Sequence, residues 1–322
     1  MFAPFTTRVH ATQRLSPSFI RITFTGEELR NFGCVGSDAC TFDRRIKLIF
    51  PSSSGLPVIP EGENWYRDWQ ALPEEHRGHM RTYSIRRITR PGDEVFIDID
   101  FVRHLEPGTT GPATLWAEHA GPGDELLLVG PTPHAPDLAG VEFLPGDARR
   151  LRLFGDETAA PAIARILEDL PRDAVGEAVI EVPTAEDRLP IDSPPGIRVT
   201  WLHRDSAHPD HSEHGSRLAE ALELRTLRTE HGDEDPGDAL LWETPTFSGA
   251  GEGLDEENRG TDGDGGVEKR GPEPDTYFWI AGESGAVTRL RRELVRTHDI
   301  ARRQVSFMGY WRRAASPRTA RA

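Results

Sequence analysis

The chain has 322 residues, 36% of them hydrophobic and 28% charged, and a net charge of −15, the composition of a globular protein. No apolar run nears the ~20 residues of a membrane-spanning helix, residues 1–10 lack the basic flank and apolar core of a leader, and Cys34 and Cys40 alone exclude a disulfide framework, so a cytoplasmic protein is expected. So acidic a chain suits nucleic acid poorly, because phosphates need a positive surface, and its length points to two domains.

In chain order, residues 19–24 alternate, with Ile20, Ile22 and Phe24 on one face and Arg21 and Thr23 on the other. Residues 46–50 put Ile46, Leu48 and Phe50 inward and turn Lys47 to the opposite face. Val95, Ile97, Ile99 and Phe101 repeat the pattern. These period-two segments, punctuated by Pro91-Gly92-Asp93 and Pro122-Gly123-Asp124, predict a small antiparallel barrel with one short helix over 113–118 and a further strand over 125–129.

The rhythm then changes. Residues 151–155 read as a buried strand, followed by a helix over 161–170 with Ile163, Ile166, Leu167 and Leu170 on one stripe and Pro161 in its first turn. Strands over 177–182, 197–202, 277–281 and 304–310 and helices over 217–227 and 286–296 follow. Strand and helix in alternation predict a doubly wound parallel α/β domain. The expected fold is thus two-domain α+β, an antiparallel β-barrel over 1–147 followed by the α/β domain over 148–322. Residues 246–275, Gly-rich, acidic and poor in aliphatic side chains, form an insertion that cannot bury enough surface to order itself.

Four segments carry candidate chemistry. On a strand, Arg81 and Tyr83 of Arg81-Thr82-Tyr83-Ser84 point the same way, so a guanidinium could pair with a flavin phosphate while the phenol lies along the ring; an ordinary amphipathic edge strand would carry the same residues. The stretch from His104 to Ala117 includes Gly111-Pro112-Ala113-Thr114 at a helix start, where free amides bind anions, although a plain capped helix looks alike. Gly155-Asp156-Glu157-Thr158 leaves the first strand of the α/β domain at its carboxyl end, where such sheets bind nucleotides. The acidic pair is unsuited to cradling phosphates directly; ribose or adenine hydrogen bonding suits Asp156 and Thr158 better. Ala281-Gly282-Glu283-Ser284 is a second strand end opening onto a helix, and Arg289, Arg291 and Arg292 follow it. Lys47 and Lys269 are the only lysines, which codon bias would equally explain.

Together these motifs resemble the siderophore-interacting protein family, the ferric-siderophore reductases of the ferredoxin-reductase-like superfamily. The residues that carry the resemblance are Arg81-Thr82-Tyr83-Ser84-Ile85-Arg86, Asp100-Phe101-Val102-Arg103-His104 with Gly111-Pro112-Ala113, Gly155-Asp156-Glu157-Thr158-Ala159, Ala281-Gly282-Glu283-Ser284 and Gly309-Tyr310-Trp311-Arg312. It spans about residues 5–313 without the insertion. It implies an FAD-binding barrel and an NAD(P)H-binding α/β domain, with NADPH or NADH as donor and a ferric siderophore as substrate. Arg81, Thr82, Tyr83 and Ser84 would hold the flavin, with Asp100, Phe101, Val102, His104, Gly111, Ala113 and Thr114 along the rest of FAD. Asp156, Glu157, Thr158 and Ala159 would contact the dinucleotide, Gly282 and Glu283 the nicotinamide side, and Tyr310 and Trp311 would stand near the flavin. Lys47, with Arg289 or Arg291, would grip the anionic chelate.

The implied reaction passes hydride from NAD(P)H to FAD and single electrons on to Fe(III), releasing Fe(II), with no side chain as acid or nucleophile. Alternatives are a general flavin reductase or electron carrier, and a non-catalytic siderophore-binding protein. A monomer is expected, and no metal site: His208, His211 and His214 are spaced like ligands but sit in loop composition without cysteine partners.

Overall fold

The structure is a computed structural model that describes residues 2–33, 41–60, 62, 64–103, 110–206, 214–222, 242–244, 247–248 and 275–312. Two compact units result, one of residues 1–141 with 164–169, the other of residues 142–163 with 170–322.

The first unit is built on strands β1 (Phe2–Arg14), β2 (Phe19–Thr25), β3 (Arg45–Phe50), β4 (His79–Ser84), β5 (Arg87–Thr89), β6 (Phe96–Val102) and β7 (Glu125–Pro131). They form one sheet in the order β4-β3-β7-β1-β2-β6-β5, every pairing antiparallel. The sheet curls as a half-barrel around a core that includes Phe5, Ile22, Phe24, Leu48, Phe50, Ile97, Phe101 and Leu128. These are the inward positions of the alternating segments. Among the described residues, three α-helices interrupt the strands: α1 (Trp65–Gln70), α2 (Glu74–Arg77) and α3 (Pro112–His119). Proline in the first turn of α3 loses no hydrogen bond there.

Two features of this unit lie outside the periodic reading. β1 pairs with both β2 and β7 and so lies inside the sheet, yet its run of Thr, Arg and His offers few aliphatic residues, with Phe5, Thr7 and Val9 buried. The outer face of the sheet also carries a cluster of its own, in which Ile49, Leu127 and Val129 are covered by Trp69 with Leu56, Ile59, Trp65 and Leu72 against them. That apolar excursion between β3 and β4 explains why Ile49 is buried although it points away from the main core.

The second unit contains β8 (Arg150–Gly155), the start of α4 (Ala160–Asp169), whose residues 164–169 group with the first unit, β9 (Val175–Val182), β10 (Gly196–His203), α5 (Ser216–Ala221), β11 (Trp242–Thr244), β12 (Phe247–Ser248), β13 (Thr276–Glu283), α6 (Ser284–Arg292) and β14 (Val305–Trp311). The sheet order is β10-β9-β8-β13-β14-β11-β12. The first five strands are parallel, as the alternation predicts. β11 and β12 extend the sheet as an antiparallel edge against β14, an addition the periodicity does not show. β12 falls where the unordered insertion was expected; residues 249–274 lie outside the described ones, as does the helix expected beyond residue 222. α6 ends at Arg292 rather than Arg296 and continues as a π-helical turn over Glu293–Thr297.

All eight residues of β13 are buried, because strands flank it on both edges and apolar side chains cover both faces. The chain order β8, β9, β10 runs outward one way and β13, β14 the other. The carboxyl ends of β8 and β13 therefore flank the switch point at which open α/β sheets bind ligands.

Candidate functional site

In the first unit β4 pairs with β3 so that Tyr83 stands opposite Ile46, Arg81 opposite Leu48 and Thr82 opposite Lys47. Arg81 and Tyr83 thus share one face and Lys47 and Thr82 the other. Tyr83 packs 4.6 Å from Phe101 and 6.4 Å from Phe50, centroid to centroid, and burial pushes its phenol well above the ordinary range. It stays a neutral ring. Arg81 is exposed, donates only to the neighbouring Met80 carbonyl at 2.8 Å, and joins no ion pair among the described residues. An exposed, unpaired guanidinium beside a planar ring suits a phosphate-bearing aromatic ligand. Ser84 is half-buried at the end of the strand.

Asp100 behaves differently from its neighbours in the motif. Its buried carboxylate receives Arg21 through both oxygens at 2.7 and 2.8 Å, with Arg86 at 3.7 Å. Arg86 itself, 3% exposed, donates twice to Glu168 at 2.6 Å. Expected to lie along a cofactor, the Asp100 side chain instead braces β2 against β6, because a carboxylate this deep in a sheet needs cationic partners. Phe101 is core, and Val102 accepts a weak 3.4 Å bond from the Thr114 hydroxyl. Ala113 and Thr114 are buried at the start of α3, while the α-carbon of Gly111 faces open space. His104 lies outside the described residues.

Lys47 is half-buried and donates to the Thr82 hydroxyl at 2.7 Å. Burial, and then the Arg45 charge, pull its ammonium below the usual lysine range.

In the second unit the strand ends converge on carboxylates. Asp156 is 2% exposed and accepts from Thr158 N at 2.8 Å, Thr158 Oγ1 at 2.5 Å, Glu283 N at 2.7 Å and Trp311 Nε1 at 2.9 Å. Burial, and then Glu157, push Asp156 upward. Glu157, also 2% exposed, takes both nitrogens of Arg204 at 2.8 Å. Arg204 reaches Glu181 as well at 3.2 Å, and Glu181 accepts the Gly215 amide at 3.0 Å. Burial disfavours the Arg204 cation, but Glu157 and Glu181 more than offset this and raise it. Asp156, expected to reach ribose or adenine, and Glu157, expected to contact the dinucleotide, thus have buried side chains engaged inside the protein; the sequence could not show it, since Arg204 and Trp311 come from different strand ends.

Glu283 caps α6, its carboxylate accepting Ala286 N at 2.8 Å. Thr158, Tyr310 and Trp311 are half-buried, Ala159 fully so. Tyr310 meets Trp279 edge-on at 6.3 Å. Arg289, half-buried, donates to the His214 carbonyl at 3.2 Å, and Arg291 is half-buried on the same helix. The ligand atoms of His214, Asp156 and Glu157 lie within 4.8 Å of one another, but both carboxylates are already occupied by the bonds above. His208 and His211 lie outside the described residues. Spacing did not reveal the pairing of Arg21 and Arg86 with Asp100 in the first unit, nor that of Arg204 with Glu157 and Glu181 in the second.

Comparison with known proteins gives the family and the fold. Residues 148–314 match the family described as siderophore-interacting protein, and residues 8–135 the one described as siderophore-interacting FAD-binding domain. An uncharacterised protein of Mycobacterium tuberculosis is 36% identical over 200 residues, 61% of this chain and 64% of that protein. The ferric vibriobactin reductase ViuB of Vibrio cholerae is 34% identical over 192 residues, 59% of this chain and 63% of ViuB. The chain therefore spans just under two thirds of the length of these relatives. Among solved structures, a siderophore utilization protein from T. fusca superposes with a TM-score of 0.63 at 28% identity, over 98% of this chain and 95% of that one.

Proposed function

The chain belongs to the siderophore-interacting protein family, and from that premise we propose that it is an FAD-dependent ferric-siderophore reductase drawing electrons from NADPH or NADH. The observation that carries the reading is the pairing on one face of β4 of the exposed, unpaired Arg81 guanidinium with the Tyr83 ring. Arg81 would hold the cofactor's phosphate, and Tyr83, Thr82 and Ser84 its ring and ribityl chain. Gly111, Ala113 and Thr114, with His104, would meet the rest of it. FAD, when bound, takes electrons in a pair and can give them up singly, which is what a nicotinamide donor and an Fe(III) acceptor require. The chain's own part is to place these partners. The chelate's hard oxygen donors hold Fe(II) far less tightly than Fe(III), so reduction releases the metal.

The donor would approach the strand ends of the α/β unit, along Thr158 and Ala159, Gly282, and Tyr310 with Trp311. We assign the division at residues 147 and 148, a cytoplasmic location and a monomeric state on the same reading; no helix among the described residues is long and apolar enough to cross a membrane. The test is anaerobic. Protein loaded with FAD should bleach on addition of NADPH or NADH and recolour on addition of a ferric siderophore, with Fe(II) trapped by a chelator. A protein that takes up no FAD would refute the reading.

Lys47, with Arg289 or Arg291, is proposed to attract the anionic chelate. Lys47→Ala should raise KM for anionic chelates roughly twofold to fivefold, the size of a charge contact near the surface, and leave flavin content unchanged. The ammonium is held below the usual lysine range, so its attraction is present at neutral pH and lost as pH rises through that lowered value. KM for anionic chelates should therefore climb at a lower pH than an ordinary lysine would give. Lys47→Arg, which stays charged, should flatten the rise; a wild-type KM flat to high pH would count against the role.

A further inference from the structure

The four hydrogen bonds to Asp156 come from three separate parts of the chain: its own loop after β8, the end of β13 at Glu283, and the end of β14 at Trp311. One buried carboxylate thus ties together the carboxyl ends of three parallel strands at the switch point. The neighbouring sequence is fitted to it. Gly282 has φ +149°, and a side chain there would bring Cβ within 2.7 Å of the Asp156 carboxylate, so glycine leaves the space that the carboxylate fills. The Trp311 ring is held from a second side by His214, buried and edge-on at 5.0 Å.

The void at these strand ends, lined by Asp156, Gly215, Ala281, Gly282, Glu283 and Ala286 among others, has a volume of only about 10 Å³. That is below the ~300–1,000 Å³ of a typical small-molecule pocket. A dinucleotide does not fit in this void; on the reading proposed above it would lie across the strand ends, where the orientation of the groups presented decides how well it is received.

We propose that Asp156 is a positioning residue for the nicotinamide donor: by holding the Trp311 indole N–H and the Glu283 amide together, it sets the surface against which the dinucleotide lies. The proposal rests on the reading of this chain as a nicotinamide-driven reductase. A carboxylate accepts from all four donors; an amide of the same shape turns one oxygen into an NH2 that faces donors. Asp156→Asn should therefore release Trp311 or the loop while changing the volume little.

The experiment titrates NAD+ and NADP+ separately into the FAD-loaded protein without turnover, for wild type, Asp156→Asn, Trp311→Phe and the double variant. Each single variant should bind the preferred dinucleotide roughly tenfold more weakly, and the double variant no more weakly than Asp156→Asn alone, since residues in one network are not additive. Flavin content is measured for each variant, so that every affinity refers to its FAD-loaded fraction. Wild-type affinity in Asp156→Asn, or effects that add in full, would overturn the proposal. Should Asp156→Asn not fold, Trp311→Phe decides: it keeps an aromatic ring at the position while removing the indole N–H that Asp156 holds, together with the pyrrole half of the ring, and undiminished affinity overturns the proposal. Wild-type protein that takes up FAD yet binds neither dinucleotide would remove the donor reading itself, and the proposal with it.

Discussion

Arg204→Met is expected to destabilise the protein by about 3–5 kcal/mol, the cost of leaving buried charges without their partner. The Arg204 side chain is 11% exposed, and those of Glu157 and Glu181 are 3% and 0% exposed. Without the guanidinium, the Gly215 amide is the remaining partner of Glu181 among the bonds described, and Glu157 loses its bidentate contact. Chemical denaturation should show a lower midpoint at unchanged slope, and melting should fall by roughly 10 °C, taking a few degrees per kcal/mol for a unit of this size. The sign of the pH dependence follows from linkage. Carboxylates stripped of their cation have folded-state values raised above the unfolded ones, so they cost stability above those raised values and the cost shrinks as pH falls through them. The deficit should therefore narrow on acidification, and adding Glu157→Gln and Glu181→Gln should recover much of it at neutral pH. A variant as stable as wild type at every pH would mean that the triad is not a buried ion cluster.

The second large effect concerns the flavin. Arg81→Ala should weaken FAD binding by about 2 kcal/mol, near 30-fold, the usual worth of a charge-assisted bond, read as flavin lost on dilution or from a titration of the apoprotein. Arg81→Lys should recover part of this, since an ammonium keeps the charge but not the planar fork that engages two phosphate oxygens. Arg87→Ala removes an exposed guanidinium from β5, the next strand along the chain but at the opposite end of the sheet order, and serves as the control. Equal flavin affinity in Arg81→Ala and Arg87→Ala would move the phosphate contact elsewhere.

Much of the candidate site is local and so was legible in the sequence. Arg81 and Tyr83 share a face because side chains alternate along a strand, whatever the strand pairs with. The same alternation sets Lys47 opposite the core, and the pairing of β3 with β4 then brings it to Thr82. The carboxyl ends of β8 and β13 were likewise marked by the glycines at 155 and 282. What spacing could not give is which polar groups are already spent. Asp100 and Arg21 lie 79 residues apart, Glu157 and Arg204 47 apart, and Asp156 and Trp311 155 apart. Each pair exists only because the strand order sets the elements side by side. A buried carboxylate and a ligand-binding one look identical in a motif, and only the position of a distant arginine or indole separates them.

The sequence by itself determined the two-part α+β architecture, the antiparallel-then-parallel order, the family, and the strand face on which Arg81 and Tyr83 stand, because hydrophobic period and motif order are properties of contiguous residues. Tertiary structure alone decided that β1 lies inside its sheet, that an aromatic excursion covers the outer face at Ile49, and that Asp100, Asp156 and Glu157 serve as braces. The physical reason is desolvation: once strand pairing removes a carboxylate from water, it must take whatever cation or N–H the fold brings to it, and that partner is written elsewhere in the chain.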